Sequence, residues 1–274
     1  MRPSEEHPDT FAGLTPEQCH AVDQAVAAER LEGWRPTPAD LALLVAECRG
    51  ETVLPSVREG LVGDGPRRES RWAALRPRHT PYLLPGSTTL RNVLGIVDPA
   101  ALHRAESILT ALRLVRCHTG RADLGGAVGV HRLLSVHRYV FQDVYVWAGD
   151  VRTVELSKNG TAFARCSVVW DGLMGVHETI LSADWAAADR GELAYLLSRT
   201  YADLNQVHPF REGNGRAATM LLHLLVAPTG FRLDLTDVER RDWIAASQDS
   251  APFRQAGAPS ARPFLPLFLR ALSS

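Results

Sequence analysis

The sequence has little net charge and no long apolar run, and each deficit excludes a class of protein. Its 30 basic and 31 acidic side chains give a formal net charge of −1, so no strong basic field points to nucleic acid. It has no apolar run of 18 residues and no signal-peptide pattern. We therefore expect a cytoplasmic protein with no direct nucleic-acid partner and no membrane partner.

Cysteine is also scarce, and its placement excludes two kinds of site. The four cysteines are scattered along the chain and show none of the short spacings of a metal site. In a cytoplasmic chain they are interpreted as reduced thiols rather than as a disulfide framework. They are Cys19, Cys48, Cys117 and Cys166.

What is present is typical of a helical globular protein. Of 274 residues, 45% are apolar and 22% charged, and the apolar residues recur at helical spacing, which predicts an all-α fold with one small β-hairpin. Thr15 and Thr37 are each followed by a proline, which suits the first position of a helix. Three residues after each threonine comes a side chain that can complete a capping box. We predict a disordered tail over 1–13, a small helical unit over 14–62, a linker over 63–81 and the main domain over 82–274.

The hairpin is predicted between two helical stretches. Residues 151–156 and 161–166 flank Ser157–Gly160, and the Asn-Gly pair within that stretch is a strong signal for a tight turn. The hairpin either serves the functional site or merely covers the core.

The stretch His208–Arg216 concentrates chemical groups between two predicted helices. A helix start attracts anions, and a glycine-rich turn adds backbone N–H groups that bind them. Arg216 is a forked donor suited to phosphate, and Glu212 is an oxygen ligand of the kind that Mg²⁺ prefers. His208 can act as a neutral base near pH 7. Taken singly, these residues are ordinary loop and surface residues; together they favour phosphorus-group transfer.

The same stretch resembles the signature of the Fic family, His-x-Phe-x-Asp/Glu-Gly-Asn-Gly-Arg-x-x-Arg. The match is complete from His208 to Arg216, and it fails at the final arginine, where this chain has Thr219. Phe141–Thr153 is similar to the family's helix and the start of its flap hairpin, and Trp243–Ser247 to a later helix. The resemblance covers roughly residues 82–248 and implies a Fic-fold helical core with a small hairpin flap.

The resemblance also implies a reaction and a set of residue roles. The expected reaction moves a nucleoside monophosphate, usually AMP from ATP, to a Tyr, Thr or Ser hydroxyl of a target protein. Phe210 anchors the loop in the core. The expected roles are His208 as the base, Glu212 as the Mg²⁺ ligand, Gly213, Asn214, Gly215 and Arg216 as the phosphate site, and Thr161, Ala162 and Phe163 as the flap that positions the target.

An upstream motif implies inhibition. Ala28–Gly33 is similar to the family's inhibitory motif, Ser/Thr-x-x-x-Glu-Gly/Asn, with alanine in the first position. The surrounding helices resemble a VbhA-type antitoxin fused ahead of its toxin, which implies a topoisomerase subunit as the target. Glu32 and Gly33 are then the inhibitory residues; the alternative is a surface glutamate and a plain helix stop.

Thr219 leaves three interpretations of the site open. The chain is a weak AMP transferase, a transferase that uses another phosphate donor, or a degenerate Fic protein that binds nucleotide or a partner without chemistry. The same change removes the expected ion-pair partner of Glu32. Inhibition would then be steric or would use another cation, for which the candidates are Arg165, Arg211 and Arg254. The sequence leaves the oligomeric state open.

Overall fold

A computed structural model describes residues 1–51, 53–63, 82–158, 161–252 and 257–274. These residues are mostly helical, as predicted, and none of their helices is long and apolar enough to cross a membrane. The helices are α1 Pro3–Glu6, α2 Pro8–Phe11, α3 Pro16–Glu32, α4 Pro38–Cys48, α5 Leu54–Gly60, α6 Pro99–His118, α7 Gly129–Phe141, α8 Val169–Ser182, α9 Arg190–Val207, α10 Asn214–Val226, α11 Arg240–Asp249 and α12 Leu265–Ala271.

Two short antiparallel strand pairs and one 3₁₀ helix, Cys166–Val168, accompany these α-helices in the described residues. The predicted hairpin is present as β1 Ser157–Lys158 and β2 Thr161–Ala162, shorter than expected, and its Asn-Gly turn lies outside the described residues. A second pair, β3 Arg232–Leu233 with β4 Leu272–Ser273, was not predicted. Strands of two residues are too short to leave an alternating apolar pattern in the sequence.

Helix α3 begins and ends where its capping residues predict. The hydroxyl of Thr15 accepts the backbone N–H of Gln18, whose side chain accepts the N–H of Thr15 in return. The helix ends at Gly33, which has φ of +101° and needs glycine for that left-handed conformation. Helix α4 is capped in the same way by Thr37 and Asp40.

Helix α6 organises the core. It contacts α3, α4 and α7, while α10 packs on α7, α9 and α3, and α9 packs on α8 and α12. The N-terminal helical unit therefore shares one apolar core with the main domain, and Val22 of α3 and Leu112 of α6 are both fully buried in it. All four cysteines are unpaired thiols, as predicted.

The prediction of a disordered tail over residues 1–13 is wrong. The segment forms α1 and α2, and Phe11 is 4% exposed in the shared core. Ser4 donates from its backbone and its hydroxyl to Asp23, and Arg2 forms an ion pair with Asp234 at 2.8 Å. One buried aromatic ring and a few polar contacts order a segment whose composition is polar.

Two further helix boundaries follow from local contacts. Helix α7 ends at Phe141, after which the chain turns and reaches Gly149 at φ of +86°. Helix α11 begins after Glu239, whose side chain makes no capping hydrogen bond, and the hydroxyl of Thr236 donates to Asp234. The predicted linker, apart from its first residue, lies outside the described residues.

Candidate active site

The signature loop joins α9 to α10, as expected, and its histidine adopts a constrained conformation. His208 has φ of +47° and ψ of +61°, the left-handed region that non-glycine residues seldom occupy. Its Nδ1 lies 3.3 Å from the carbonyl oxygen of Asn205, which can only accept a hydrogen bond. The proton therefore sits on Nδ1, which places the basic lone pair on Nε2.

A residue of the hairpin packs on that imidazole. The ring of Phe163 stacks on His208 with centroids 3.7 Å apart and planes 12° apart. Phe163 also donates its backbone N–H to Leu156, and Ala164 donates to Gln206 at the end of α9. The predicted flap residue thus contacts the predicted base, while Ala162 is exposed next to it on β2.

The loop is closed by the amide of Asn214. Its Oδ1 accepts the N–H of Phe210 and its Nδ2 donates to the Phe210 carbonyl, both at 2.8 Å. Phe210 is fully buried and stacks on His137, so the prediction that it anchors the loop is confirmed. The Asn214 side chain therefore shapes the loop, and only its backbone N–H can contribute to an anion site.

Both loop glycines lie in close contacts, and the positive φ of Gly213 also favours glycine. Gly213 has φ of +81°, and a Cβ there would lie 2.1 Å from the ring of Phe141. At Gly215 a Cβ would lie 2.2 Å from Oε1 of Glu32. The carboxylate of Glu32 is therefore placed against the backbone at the start of α10, where a phosphate would be expected to bind.

Glu212 has a partly exposed carboxylate. Its side chain is 40% exposed, and Oε1 accepts the N–H of Gly213 at 3.0 Å and lies 3.6 Å from Nη2 of Arg216. The described residues contain no group of three His, Cys, Asp or Glu side chains arranged around a metal. Mg²⁺ in phosphoryl-transfer sites is commonly held by one or two carboxylates plus substrate phosphates, so a single glutamate fits it.

Arg216 is buried among carboxylates. It is 4% exposed; Nη1 lies 3.4 Å from Glu29 and 3.2 Å from the hydroxyl of Thr110, and Nη2 pairs with Glu106. Its guanidinium lies over the Phe141 ring, 4.7 Å from the centroid. Burial opposes the charge, but Glu29 and Glu106 raise the pKa of Arg216 well above its usual value. The predicted phosphate ligand is thus occupied by the protein's own anions.

Sequence reasoning missed Glu29. It is fully buried in α3, and burial raises its pKa to about 7 although Arg216 opposes that shift. The available signal was its spacing, because residues three apart lie on one face of a helix and Glu29 precedes Glu32 by three positions. Both carboxylates of α3 therefore face the start of α10.

Thr219 is not a surface replacement for the expected arginine. It is 2% exposed, and its hydroxyl donates back to the carbonyls of Gly215 and Arg216 in its own helix. Of the other predicted cations, Arg165 and Arg211 have no ion pair with Glu32 within the described residues, and Arg254 lies outside them.

A pocket of about 210 Å³ opens beside this cluster. Its lining includes Glu32, Glu106, Glu212, Arg216 and Tyr145. Tyr145 donates its hydroxyl to Glu106, and burial raises the pKa of Tyr145 well above its usual value. Three carboxylates and one arginine give this pocket a net negative charge, which opposes entry of a nucleotide until an acid moves or is protonated.

Comparison with known proteins agrees with the signature. Residues 128–226 match the profile of the Fic/DOC family. The chain is 30% identical over 171 residues to protein adenylyltransferase VbhT of Bartonella schoenbuchensis, an alignment covering 62% of this chain and 35% of VbhT. It is 29% identical over 173 residues to the probable protein adenylyltransferase Fic of Escherichia coli, covering 62% of this chain and 84% of that protein.

Solved structures show the same fold. The Fic domain of a Bartonella effector protein from Bartonella sp. AR 15-3 has a TM-score of 0.63 at 21% identity, covering 72% of this chain and 94% of that chain. BepC of Bartonella tribocorum, solved with AMPPNP bound, has a TM-score of 0.59 at 22% identity and covers 72% of this chain and 99% of that chain.

Proposed function

We propose that this chain, which carries a Fic/DOC domain in residues 128–226, transfers a nucleoside monophosphate, AMP from ATP, to a hydroxyl of a target protein. The observation that carries the proposal is His208, with its Nδ1 proton donated to Asn205, at the head of a loop leading to Arg216 and a helix start. Relatives named protein adenylyltransferases and Fic structures with bound AMPPNP or ADP support it.

In the proposed reaction, Nε2 of His208 accepts the proton of a Tyr, Thr or Ser hydroxyl. The resulting oxygen attacks the α-phosphorus; a new O–P bond forms, the bond to the β-phosphate breaks, and pyrophosphate leaves with that electron pair. Arg216 and the N–H groups that begin α10 bind the phosphates and stabilise the departing charge. Mg²⁺ held by Glu212 and the phosphates would offset negative charge. Positioning and electrostatics supply most of the rate.

The hairpin is proposed to seat the target. A peptide that pairs with the edge of β2 would place its side chains at defined intervals, so the hydroxyl is positioned by backbone hydrogen bonds. Ala162 is exposed on that strand, which leaves room for a neighbouring chain, while Phe163 is turned onto His208. The proposed target class follows from the likeness to antitoxin-linked relatives: a topoisomerase subunit.

Helix α3 is proposed to inhibit the site with two carboxylates. Glu32 lies against Gly215, and Glu29 lies 3.4 Å from Nη1 of Arg216. Both occupy positions that nucleotide phosphates would need, and both repel them. Inhibition in this chain would therefore act on Arg216 rather than on the arginine that Thr219 replaces.

The second candidate function is nucleotide binding without transfer. It is favoured by Thr219, whose hydroxyl is committed to its own helix and cannot replace a charged phosphate contact. A missing charge-assisted contact costs about 1.5–3 kcal/mol, or roughly 10- to 150-fold in affinity. Such a loss weakens a transferase without removing its base, so transfer remains the first candidate.

The deciding experiment labels a bacterial lysate with each α-labelled nucleoside triphosphate and Mg²⁺. Labelling by the wild type that is lost in His208→Ala and kept in His131→Ala establishes transfer and names the nucleotide; His131 is an exposed histidine on α7 outside the site. The labelled protein then identifies the target. Absence of labelling by both the wild type and Glu32→Gly, in which the proposed inhibitory carboxylate is removed, together with measurable Mg-nucleotide binding would instead support the binding protein.

A further inference from the structure

The predicted base is held in a conformation that its residue type disfavours. Within the described residues, His208 is the only non-glycine residue with a positive φ. Glycine would adopt this backbone more easily, so the presence of histidine requires surrounding contacts that hold it there. Those contacts identify the residue that orients the base.

Arg152 supplies most of them. Its Nε donates to the carbonyl of His208 at 2.7 Å, and its backbone N–H donates to the carbonyl of Pro209 at 2.8 Å. Nη2 lies 3.3 Å from the carbonyl of Val207. One arginine therefore binds three successive carbonyls of the turn that carries the base.

The same guanidinium reaches the hairpin. Nη2 also donates to the carbonyl of Ala164, and Nη1 donates to the carbonyl of Val154 at 2.8 Å. Arg152 is 3% exposed, and its nearest carboxylate is that of Glu155, 3.9 Å away on a side chain that is 67% exposed. A buried cation thus makes its short contacts with backbone carbonyls from both sides of the hairpin and from the catalytic turn.

We propose that Arg152 is a positioning residue that holds His208 in its left-handed conformation and links the orientation of this base to the hairpin. The inference rests on the proposed function in taking His208 as the base. It goes beyond that function because it assigns the orientation of the base to a buried residue outside the signature loop, which also binds both sides of the hairpin. Only arginine offers five N–H donors in a rigid planar fork; lysine retains the charge but cannot reach the same carbonyls together.

The variants are Arg152→Lys and Arg152→Gln, with Glu155→Gln as the matched control on the neighbouring exposed side chain. Misplacing a catalytic group by about 1 Å costs on the order of 100-fold in kcat, which is the loss expected for both arginine variants. The Kd for the Mg-nucleotide should change by no more than about twofold, because Arg216 and the helix start are held by other residues. Glu155→Gln should match the wild type.

Two results would overturn the proposal. One is an unchanged kcat in Arg152→Lys. The other is a parallel loss of nucleotide binding, thermal stability and transfer, which would reduce Arg152 to a general structural residue.

A measurement that does not depend on transfer activity separates this proposal from the proposed function. In wild-type protein labelled with ¹⁵N, the Nε–H proton of Arg152 should exchange slowly with solvent, and the His208 imidazole resonances should move in Arg152→Lys while those of His131 stay fixed. Fast exchange of that proton, or unmoved His208 resonances, refutes the positioning role even if transfer is observed. Absence of transfer in both the wild type and Glu32→Gly, with slow exchange and shifted resonances, refutes the proposed reaction and leaves the structural link intact.

Discussion

Replacing Glu29 with glutamine should open the phosphate site. The carboxylate of Glu29 is fully buried and lies 3.4 Å from Nη1 of Arg216, with the Thr110 hydroxyl donating to its other oxygen. Glutamine has nearly the same size; it removes the charge and replaces one of the two accepting oxygens with an NH2 donor. A nucleotide phosphate then competes for Arg216 with a neutral amide rather than with an anion.

The size of the effect follows from that contact. A hydrogen bond to a charged group contributes about 1.5–3 kcal/mol, and Glu106 still holds Nη2 of Arg216 in the variant. We therefore expect the lower end of the range, a Mg-nucleotide Kd that is tighter by roughly tenfold. Transfer activity at limiting nucleotide should rise by a similar factor.

The difference in nucleotide affinity between Glu29→Gln and the wild type should grow as pH rises. Burial raises the pKa of Glu29 from 4.5 to about 7, so the folded protein favours its protonated form. The contribution of protonated Glu29 to the free energy of unfolding is fully present below pH 4.5 and is lost as pH rises through 7. Glutamine mimics the protonated state, so the variant and the wild type should bind nucleotide alike near pH 6 and diverge above pH 7, where the wild type weakens.

Calorimetric titration with a non-hydrolysable nucleotide and Mg²⁺ at pH 6 and pH 8.5 measures both effects. Glu17→Gln is the control, because Glu17 is an exposed acid on the same helix. The reasoning fails if Glu29→Gln binds no more tightly than Glu17→Gln at pH 8.5, or if the ratio of the two affinities does not change with pH.

The remaining predictions concern the glycines and the second acid of α3. Glu32→Gly should raise His208-dependent self-modification, and equal labelling in the variant and the wild type would remove Glu32 from the inhibitory mechanism. Gly215→Ala should lower thermal stability less in a Glu32→Gly background than alone, because its Cβ would meet Oε1 of Glu32 at 2.2 Å; additive losses in a double-mutant cycle would contradict that contact. Gly213→Ala should destabilise by about 3 kcal/mol through its positive φ and the Phe141 ring. Gly175→Ala, in open space on α8, should instead stabilise by about 0.5–1 kcal/mol in chemical denaturation, so a loss in both variants would refute the steric argument.

The features that the sequence predicts well are those set by neighbouring residues. The capped start of α3 at Thr15 and its end at Gly33 depend on side chains within one helical turn, and both were predicted. The His208–Arg216 loop between two helices was predicted for the same reason, since the signature is contiguous.

Features that depend on distant contacts were missed. Residues 1–13 become ordered because Phe11 reaches a core built by other helices and because Ser4 and Arg2 bind Asp23 and Asp234. Glu29 looks like an ordinary helix residue until α3 is packed beside Arg216. Strands β3 and β4 join segments about 40 residues apart through two residue pairs, which leaves no local pattern to read.

The proposed base and the carboxylates beside the proposed phosphate site are held by different parts of the chain. Gly149 donates its N–H to Nδ1 of His137, so Nε2 carries the proton and donates to the carbonyl of Glu212; burial lowers the pKa of His137 to about 3 and keeps it neutral. His137 and Arg152 thus bind the signature loop near Glu212 and at its start, and both belong to the main domain. Helix α3 brings carboxylates toward Arg216 and Gly215 and makes none of the hydrogen bonds described for the His208 turn. Displacing α3 should therefore change nucleotide affinity and leave the pH dependence of kcat, which reports the base, unchanged. A shift of that pH dependence in Glu29→Gln would show that the two sites are coupled after all.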